Sequence, residues 1–376
     1  MKILKLYGLT IKDEDFCKII KCNFELEEID IRGCPFITGE SIHCIIDNQI
    51  KLHTLLLGRN KKITEEAILR FLLKCGKGLK KMTFNYQAFS ARVLLSLPFL
   101  CTSLNTLDLS TASMINDDWL RLLRFPTEEC LKATNSTLEY KAEDGEIIRE
   151  WVDKISGFYK IFADAQINMI GQMFLESLTD INLSHLSVTD QCMAELFSSC
   201  KNLLYLNLRG NKGTGLETMN SLKVASNLRS INVNYTTSQC YSPDGLGQLM
   251  KSASKVYSFS ASAALTNETI LEFLSNERAA KSITQLLLWW ADSLKDHSIK
   301  LLIQRCGPSL RWVNFGLCYL LHKESLLSLA HYCPLLSELV LTSVPNLTDD
   351  GIFSFIFYFL LKVLLSNLTT PFLSFL

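Results

Sequence analysis

The stretch "CKNLLYLNLRGN" (Cys200–Asn211) changes character from one residue to the next. Leu206 and Leu208 are apolar, with Leu203 ahead of them, while Tyr205, Asn207 and Arg209 fall between and beyond. Successive side chains of an extended strand point to opposite faces. The pattern therefore sets leucines on one face and an aromatic ring, an amide and a cation on the other. One such strand buries little by itself, so its meaning depends on whether the pattern recurs.

It recurs along most of the chain. "LEEIDIRGCPFIT" starts at Leu26, "LHTLLLGRNKKIT" at Leu52, "LRWVNFGLCYLL" at Leu310 and "LSELVLTSVPNLTDDGI" at Leu336, each with apolar residues at positions 1, 4 and 6. Weaker copies start at Met1, Leu79, Leu104, Leu178, Leu228, Val256 and Ile283. Apart from one long gap, successive starts lie 25 to 28 residues apart. The second half of each unit has its own grammar: an apolar residue, then a polar or acidic helix start, as in Ile37-Thr38, Ile63-Thr64-Glu65-Glu66, Ile115-Asn116-Asp117, Val188-Thr189-Asp190 and Leu347-Thr348-Asp349. Thr and Asn cap exposed helix N–H groups, and acids favour the positive end of the helix dipole. Cys22, Cys75, Cys101, Cys200, Cys306 and Cys333 then close the helical halves, three or four residues before the next strand.

A stable period in this range, with one strand and one helix per unit, predicts leucine-rich repeats of the α/β class. The expected architecture is a curved solenoid of about 13 repeats. Its parallel strands would line the concave face and its helices the convex face. The cysteine placement resembles that of F-box/LRR proteins and covers nearly the whole chain, except residues 125–177 and the last twenty or so. That resemblance implies substrate recognition for an SCF-type ubiquitin ligase. No adaptor-docking helical module is visible ahead of Met1, which already stands at the first strand position, so the chain reads as a fragment or as a copy that has lost its N-terminal region.

The expected organisation is N-terminal repeats over 1–124, two degenerate repeats or an inserted loop over 125–177, C-terminal repeats over 178–350 and an apolar tail over 351–376. The gap from Leu104 to Leu178 spans close to three periods, which favours degenerate repeats with a loosened loop. In the tail only Lys362 is charged. Ile352, Phe355, Ile356 and Phe359 suit the buried stripe of a last helix. A membrane anchor and a translated non-coding tract are the rival readings.

Bulk properties narrow the function. The 376 residues have a formal net charge of +0, which argues against general binding to nucleic acid or acidic membrane and leaves room for a local charged patch. Thirteen cysteines and a start without a signal-length apolar run point to reduced thiols in the cytoplasm or nucleus. On that reading the six N-x-S/T triplets are not glycosylated. "RGNKGTG" (Arg209–Gly215) lacks phosphate-loop spacing and reads as the turn after a repeat strand. Cys318, His322, His331 and Cys333 offer a zinc-like set, but Cys318 and Cys333 already occupy recurrent repeat positions. No nucleophile–base pair stands out, so neither catalysis nor a cofactor is expected.

The expected activity is protein recognition. Positions 3, 5 and 7 of each unit form outward columns. From these, Tyr205, Asn207 and Arg209 are candidate partner-binding residues in one rung. Gln285, Trp289, Trp312, Asn314 and Glu338 are candidates further along, with doubt over whether Trp289 or Trp290 faces outward. Tyr, Trp and Arg are enriched in interface hot spots. A recurring asparagine at position 5 also has a purely structural reading, hydrogen bonding along the column. The alternative function is a structural or regulatory scaffold, cytoskeletal or signalling, with no link to ubiquitin.

Overall fold

The computed structural model describes residues 1–48, 51–87, 89–112, 114–124, 154–155, 164–262 and 265–368, without the side chains of 164–167 and 361–368. Two compact units make up the chain, Met1–Leu203 and Leu204–Leu376. In the first, strands β1 (Ile3–Lys5), β2 (Glu28–Asp30), β3 (Thr54–Gly58), β4 (Lys81–Asn85), β5 (Thr106–Asp108) and β6 (Asp180–Asn182) pair in chain order, all parallel. In the second, β7 (Tyr205–Asn207), β8 (Ser230–Asn232), β9 (Ser258–Ser262), β10 (Gln285–Trp289), β11 (Trp312–Asn314) and β12 (Glu338–Val340) do the same. A helix returns the chain from nearly every strand to the next. Both units are leucine-rich-repeat stacks of the α/β class.

The stacking follows from the apolar positions. Ile29, Leu55, Met82, Leu206, Leu286 and Val313 stand at position 4 of their rungs and are essentially inaccessible. A strand of three residues has too few apolar side chains to form a core alone. Neighbouring rungs share one, at about 2 kcal/mol for each large side chain fully buried.

Position 5 decides where each strand ends. The side-chain oxygens of Asp30, Asp108, Asn182, Asn207, Asn232 and Asn314 each accept a hydrogen bond from the backbone N–H two residues on, at 2.9–3.2 Å. That N–H is then lost to the neighbouring strand, and these strands stop after three residues. Where position 5 is Leu56, Thr83, Ser260 or Leu287, and the adjacent strand is also uncapped, pairing runs on to five residues. Of the two readings of the asparagine column, bonding along itself is not what forms: the carbonyl oxygens of Asn182, Asn207, Asn232 and Asn314 serve their own backbone.

Position 8 turns the chain out of the sheet. It has positive φ in all eleven rungs where it is described, from Gly8 through Arg59, Tyr86 and Trp290 to Ser343. Only glycine tolerates this region freely, so the turn overrides residue preference in most rungs.

In rungs with Cys, Asn or Gln at position 9, that side chain joins the rung to the one before it. The Cys34 thiol donates to the Leu6 carbonyl at 2.9 Å, and Cys318 donates to Leu288 at 3.2 Å. Asn60, fully buried, does more. Its Nδ2 donates to the Ile31 carbonyl at 2.7 Å and to that of Cys34 at 3.3 Å, and its Oδ1 accepts from Gly58 N–H at 2.8 Å.

The helix starts add a second set of links. Thr64, Asn116 and Thr189 cap their helices as the sequence suggests. The first-turn acids reach further than the dipole argument requires. Asp13 accepts from Thr38 N–H at 2.9 Å and Ser41 Oγ at 2.5 Å, one repeat later. Asp296 likewise accepts from Ser325 Oγ at 2.5 Å.

β5 pairs directly with β6, Thr106 opposite Asp180, and Asp117 accepts from Thr189 N–H at 2.8 Å. The rungs of β5 and β6 are therefore direct neighbours in the sheet. The expected central segment at 125–153 and 156–163 lies outside the described residues. Among the described residues there are twelve strands, one per rung.

The tail forms a helix, Asp349–Leu368, which meets the helix Lys323–Tyr332 through the Lys323–Asp350 ion pair. Its expected buried stripe is only half covered, because Phe355 and Phe359 stack at 5.6 Å and are half-buried while Ile352 and Ile356 are exposed. Phe353 and Phe357 are 71% and 64% exposed. No helix among the described residues is long and apolar enough to cross a membrane.

Replacing Asn60 with Ala removes the side-chain acceptor of the buried Gly58 N–H and leaves the Ile31 carbonyl with the Cys34 N–H alone. Urea unfolding should show a loss of about 2–4 kcal/mol. A loss below about 0.5 kcal/mol would mean that the rung-to-rung bond is dispensable.

Candidate protein-binding face

All eight candidate residues stand on outward columns of the second unit. Tyr205, Ser230, Ser258, Gln285, Trp312 and Glu338 are successive partners in position 3. Asn207, Asn232, Ser260, Leu287, Asn314 and Val340 follow in position 5. The register therefore divides the candidates into two groups. Gln285, Trp312 and Glu338 are consecutive neighbours, with Trp289 and Asn314 beside them. Tyr205, Asn207 and Arg209 stand three rungs from Gln285, about 14 Å at the spacing of paired strands. Small polar residues occupy the rungs between.

The first group is tied together by its rings. Tyr205 is hydrogen-bonded to Tyr257, and that bond, with burial second, raises the Tyr257 phenol above its ordinary range. The Arg209 guanidinium is 5.2 Å from the ring centroid of Tyr235 and remains exposed. Asn207 has its carbonyl oxygen committed to Arg209 N–H. Sequence alternation missed Tyr235 and Tyr257 because they occupy positions 8 and 2, outside the strand.

In the second group Trp289 is the ring on the outward column. A Cβ on Gly316 would fall 2.5 Å from Trp289 Cζ3, so the indole lies against the bare glycine of the next rung. Trp289 is thus half-buried, packed on its neighbour. Trp290 occupies the left-handed position 8 (φ 58°) and is 43% exposed at the exit of the strand. Trp312 is half-buried, and its Nε1 is a buried donor without a partner in the structure. A buried N–H left unpaired is unfavourable and calls for an acceptor. Gln285 is half-buried, Glu338 exposed, and Asn314 has its oxygen on Gly316 N–H. The result is a shallow aromatic surface with one unused donor and a carboxylate at its margin.

Other chemistry finds no comparable arrangement. Cys318 is engaged with the Leu288 carbonyl, His322 and His331 are exposed, and among the described residues no three His, Cys, Asp or Glu side chains converge on a metal position. None of the twelve described cysteines is in a disulfide. Burial pushes the thiols of Cys101 and Cys200 up to about 12, and that of Cys75 up to about 11.

No family model and no curated protein matches the sequence. Among solved structures, the chain is similar to an internalin (inlF) from Listeria monocytogenes, at 15% identity and a TM-score of 0.48 over 93% of this chain and 82% of that one. It is similar to the leucine-rich-repeat-containing protein LegL7 from Legionella pneumophila, at 14% identity and a TM-score of 0.44 over 95% and 96%. It is also similar to a chain in the Rad7 and Elc1 complex of yeast, at 13% identity and a TM-score of 0.42 over 91% and 86%.

Two outcomes follow. Gly316→Ala should drive the Trp289 ring off the sheet, increasing acrylamide quenching of tryptophan fluorescence and lowering stability by about 1–3 kcal/mol. Unchanged quenching and stability would mean that the ring does not rest there. Raised thiol values leave little thiolate near about pH 8. In the native protein, alkylation followed by peptide mass mapping should therefore modify exposed Cys22 well before Cys101 and Cys200. Equal rates would contradict the buried placement.

Proposed function

We propose that this protein is a non-catalytic interaction scaffold that binds a protein partner on the outward strand face of its second unit. The observation that carries the reading is the pair Trp289 and Trp312, displayed on adjacent rungs with the buried Trp312 N–H unpaired. Indole rings with a free donor are typical hot-spot anchors, and a partner carbonyl or carboxylate would satisfy that donor. Tyr205 and Arg209 supply a second anchor, Gln285 and Glu338 a polar margin, and Asn207 and Asn314 hold the strand ends in shape.

A finer reading places the scaffold in substrate recognition for an SCF-type ubiquitin ligase. Its support is the cysteine-closed repeat, which resembles that of F-box/LRR proteins. Co-precipitation of ligase adaptor with the full chain would favour it. Recovery of cytoskeletal or signalling partners without adaptor would favour the structural or regulatory scaffold.

Replacing Tyr205, Arg209 and Trp312 together with Ala should abolish partner capture and leave the far-ultraviolet circular dichroism unchanged, with about 2 kcal/mol of binding lost per anchor. An unchanged capture profile would overturn the assignment.

A further inference from the structure

From Lys51 to Arg92 the chain carries ten Lys and Arg against two Glu, a net +8 within a chain that totals zero. This stretch builds rungs 3 and 4 of the first unit. Three of its cations are engaged locally. Arg92, buried, is 3.6 Å from Glu65, Arg70 faces His43 at 3.4 Å, and Lys74 has interactions of its own. Glu65 also accepts from Ser90 Oγ at 2.5 Å, and Glu66 is engaged too. The other seven cations are all exposed, and none forms an ion pair among the described residues.

Their placement is ordered. Lys51, Lys77 and Lys80 stand where the chain enters β3 and β4, and Lys81 opens the outward column of β4. Arg59, Lys61 and Lys62 follow the exit of β3. The exit cations are held in position: the Arg59 guanidinium is 4.3 Å from the Tyr86 ring centroid and the Lys62 ammonium 5.1 Å from that of Phe36, both rings exposed. Between the two ends the face is uncharged and low. Leu56, Gly58 and Thr83 are buried, and a Cβ on Gly58 would fall 2.7 Å from the Asn85 carbonyl. β3 and β4 are also five-residue strands, so the strip from entry to exit is about 25 Å long.

Carboxylates flank it. Rung 2 carries Glu28, 3.4 Å from Lys5, and Asp30, buried and ion-paired with Arg32 at 2.6 Å, and rung 5 carries Asp108. A long polyanion crossing the rungs would leave the unpaired cations for carboxylates already paired with Lys5 and Arg32 on one side and for Asp108 on the other. A short acidic segment lying along the strands would not.

We propose that rungs 3 and 4 form a docking strip for an extended acidic segment of a protein partner, with carboxylates at its two ends and small uncharged residues in the middle. The strip lies wholly within the first unit and does not depend on the aromatic face of the second.

The test uses the full chain and fluorescence anisotropy with a labelled peptide of glutamates flanking a Gly-Ser middle, at near-physiological salt, with oligothymidylate as the nucleic-acid probe. The peptide should bind. Lys61→Glu/Lys62→Glu/Lys81→Glu should weaken it about tenfold or more, since three attractions become repulsions. Lys212→Glu/Arg229→Glu/Arg311→Glu, the same charge change in the second unit, should weaken it less than about twofold, because its charges lie off the strip. Circular dichroism checks folding, and Lys61→Gln/Lys62→Gln/Lys81→Gln replaces the reversal if that disturbs it. Absence of peptide binding, equal losses in both variants, or tighter binding of oligothymidylate through the same lysines would overturn the proposal.

Discussion

Each rung completes the hydrogen bonding of its neighbour, and this reciprocity is the constraint on which the rest of the structure depends. A three-residue strand has backbone groups and apolar side chains that it cannot satisfy alone. Parallel pairing handles part of this, and the side chains at positions 5 and 9 handle the remainder. Asn207 closes its own strand end, while Cys34, Asn60 and Cys318 reach back to carbonyls of the preceding rung. First-turn acids such as Asp13 and Asp296 extend the link to the helical side. With positions 1, 4, 5, 6 and 9 occupied by these tasks, positions 3 and 7 carry most of the freedom to vary along the strand face.

That division explains what could be read in advance. The leucine spacing predicted the strand of every rung, and the polar residues after it predicted caps such as Thr64 and Thr189. The outward column of Trp289 and Trp312 followed from alternation. Other features depend on geometry that spacing does not encode. The carbonyl of Asn207 turns to its own backbone, and a one-dimensional pattern cannot separate that from bonding along the column. Tyr235 and Trp290 face the surface from a left-handed turn, where alternation no longer holds. The gap after Leu104 is close to a whole number of periods, and spacing alone does not show that Thr106 stands opposite Asp180. A chain total of zero hid the positive charge gathered between Lys51 and Arg92.

The scaffold thus presents two different chemistries on the same repeating frame. The second unit shows indole and phenol rings on the strand face, with a donor that lacks an acceptor. The first shows cations steadied by rings at the ends of its two five-residue strands. In both places strand length varies with the residue at position 5. An Asn or Asp there shortens the strand and gathers the turn close to the column. Its absence lengthens the strand and separates entry from exit.

Site-specific photocrosslinking in cell extract tests the recognition account most directly. A photoreactive side chain would be placed in turn at Tyr205 and Trp312 on the strands, and at the exposed helix positions Gln304 and Leu271. The account predicts the same protein adduct from both strand positions and none from the helices. Adducts from the helix positions alone would contradict it and move the binding surface to the other side of the repeats.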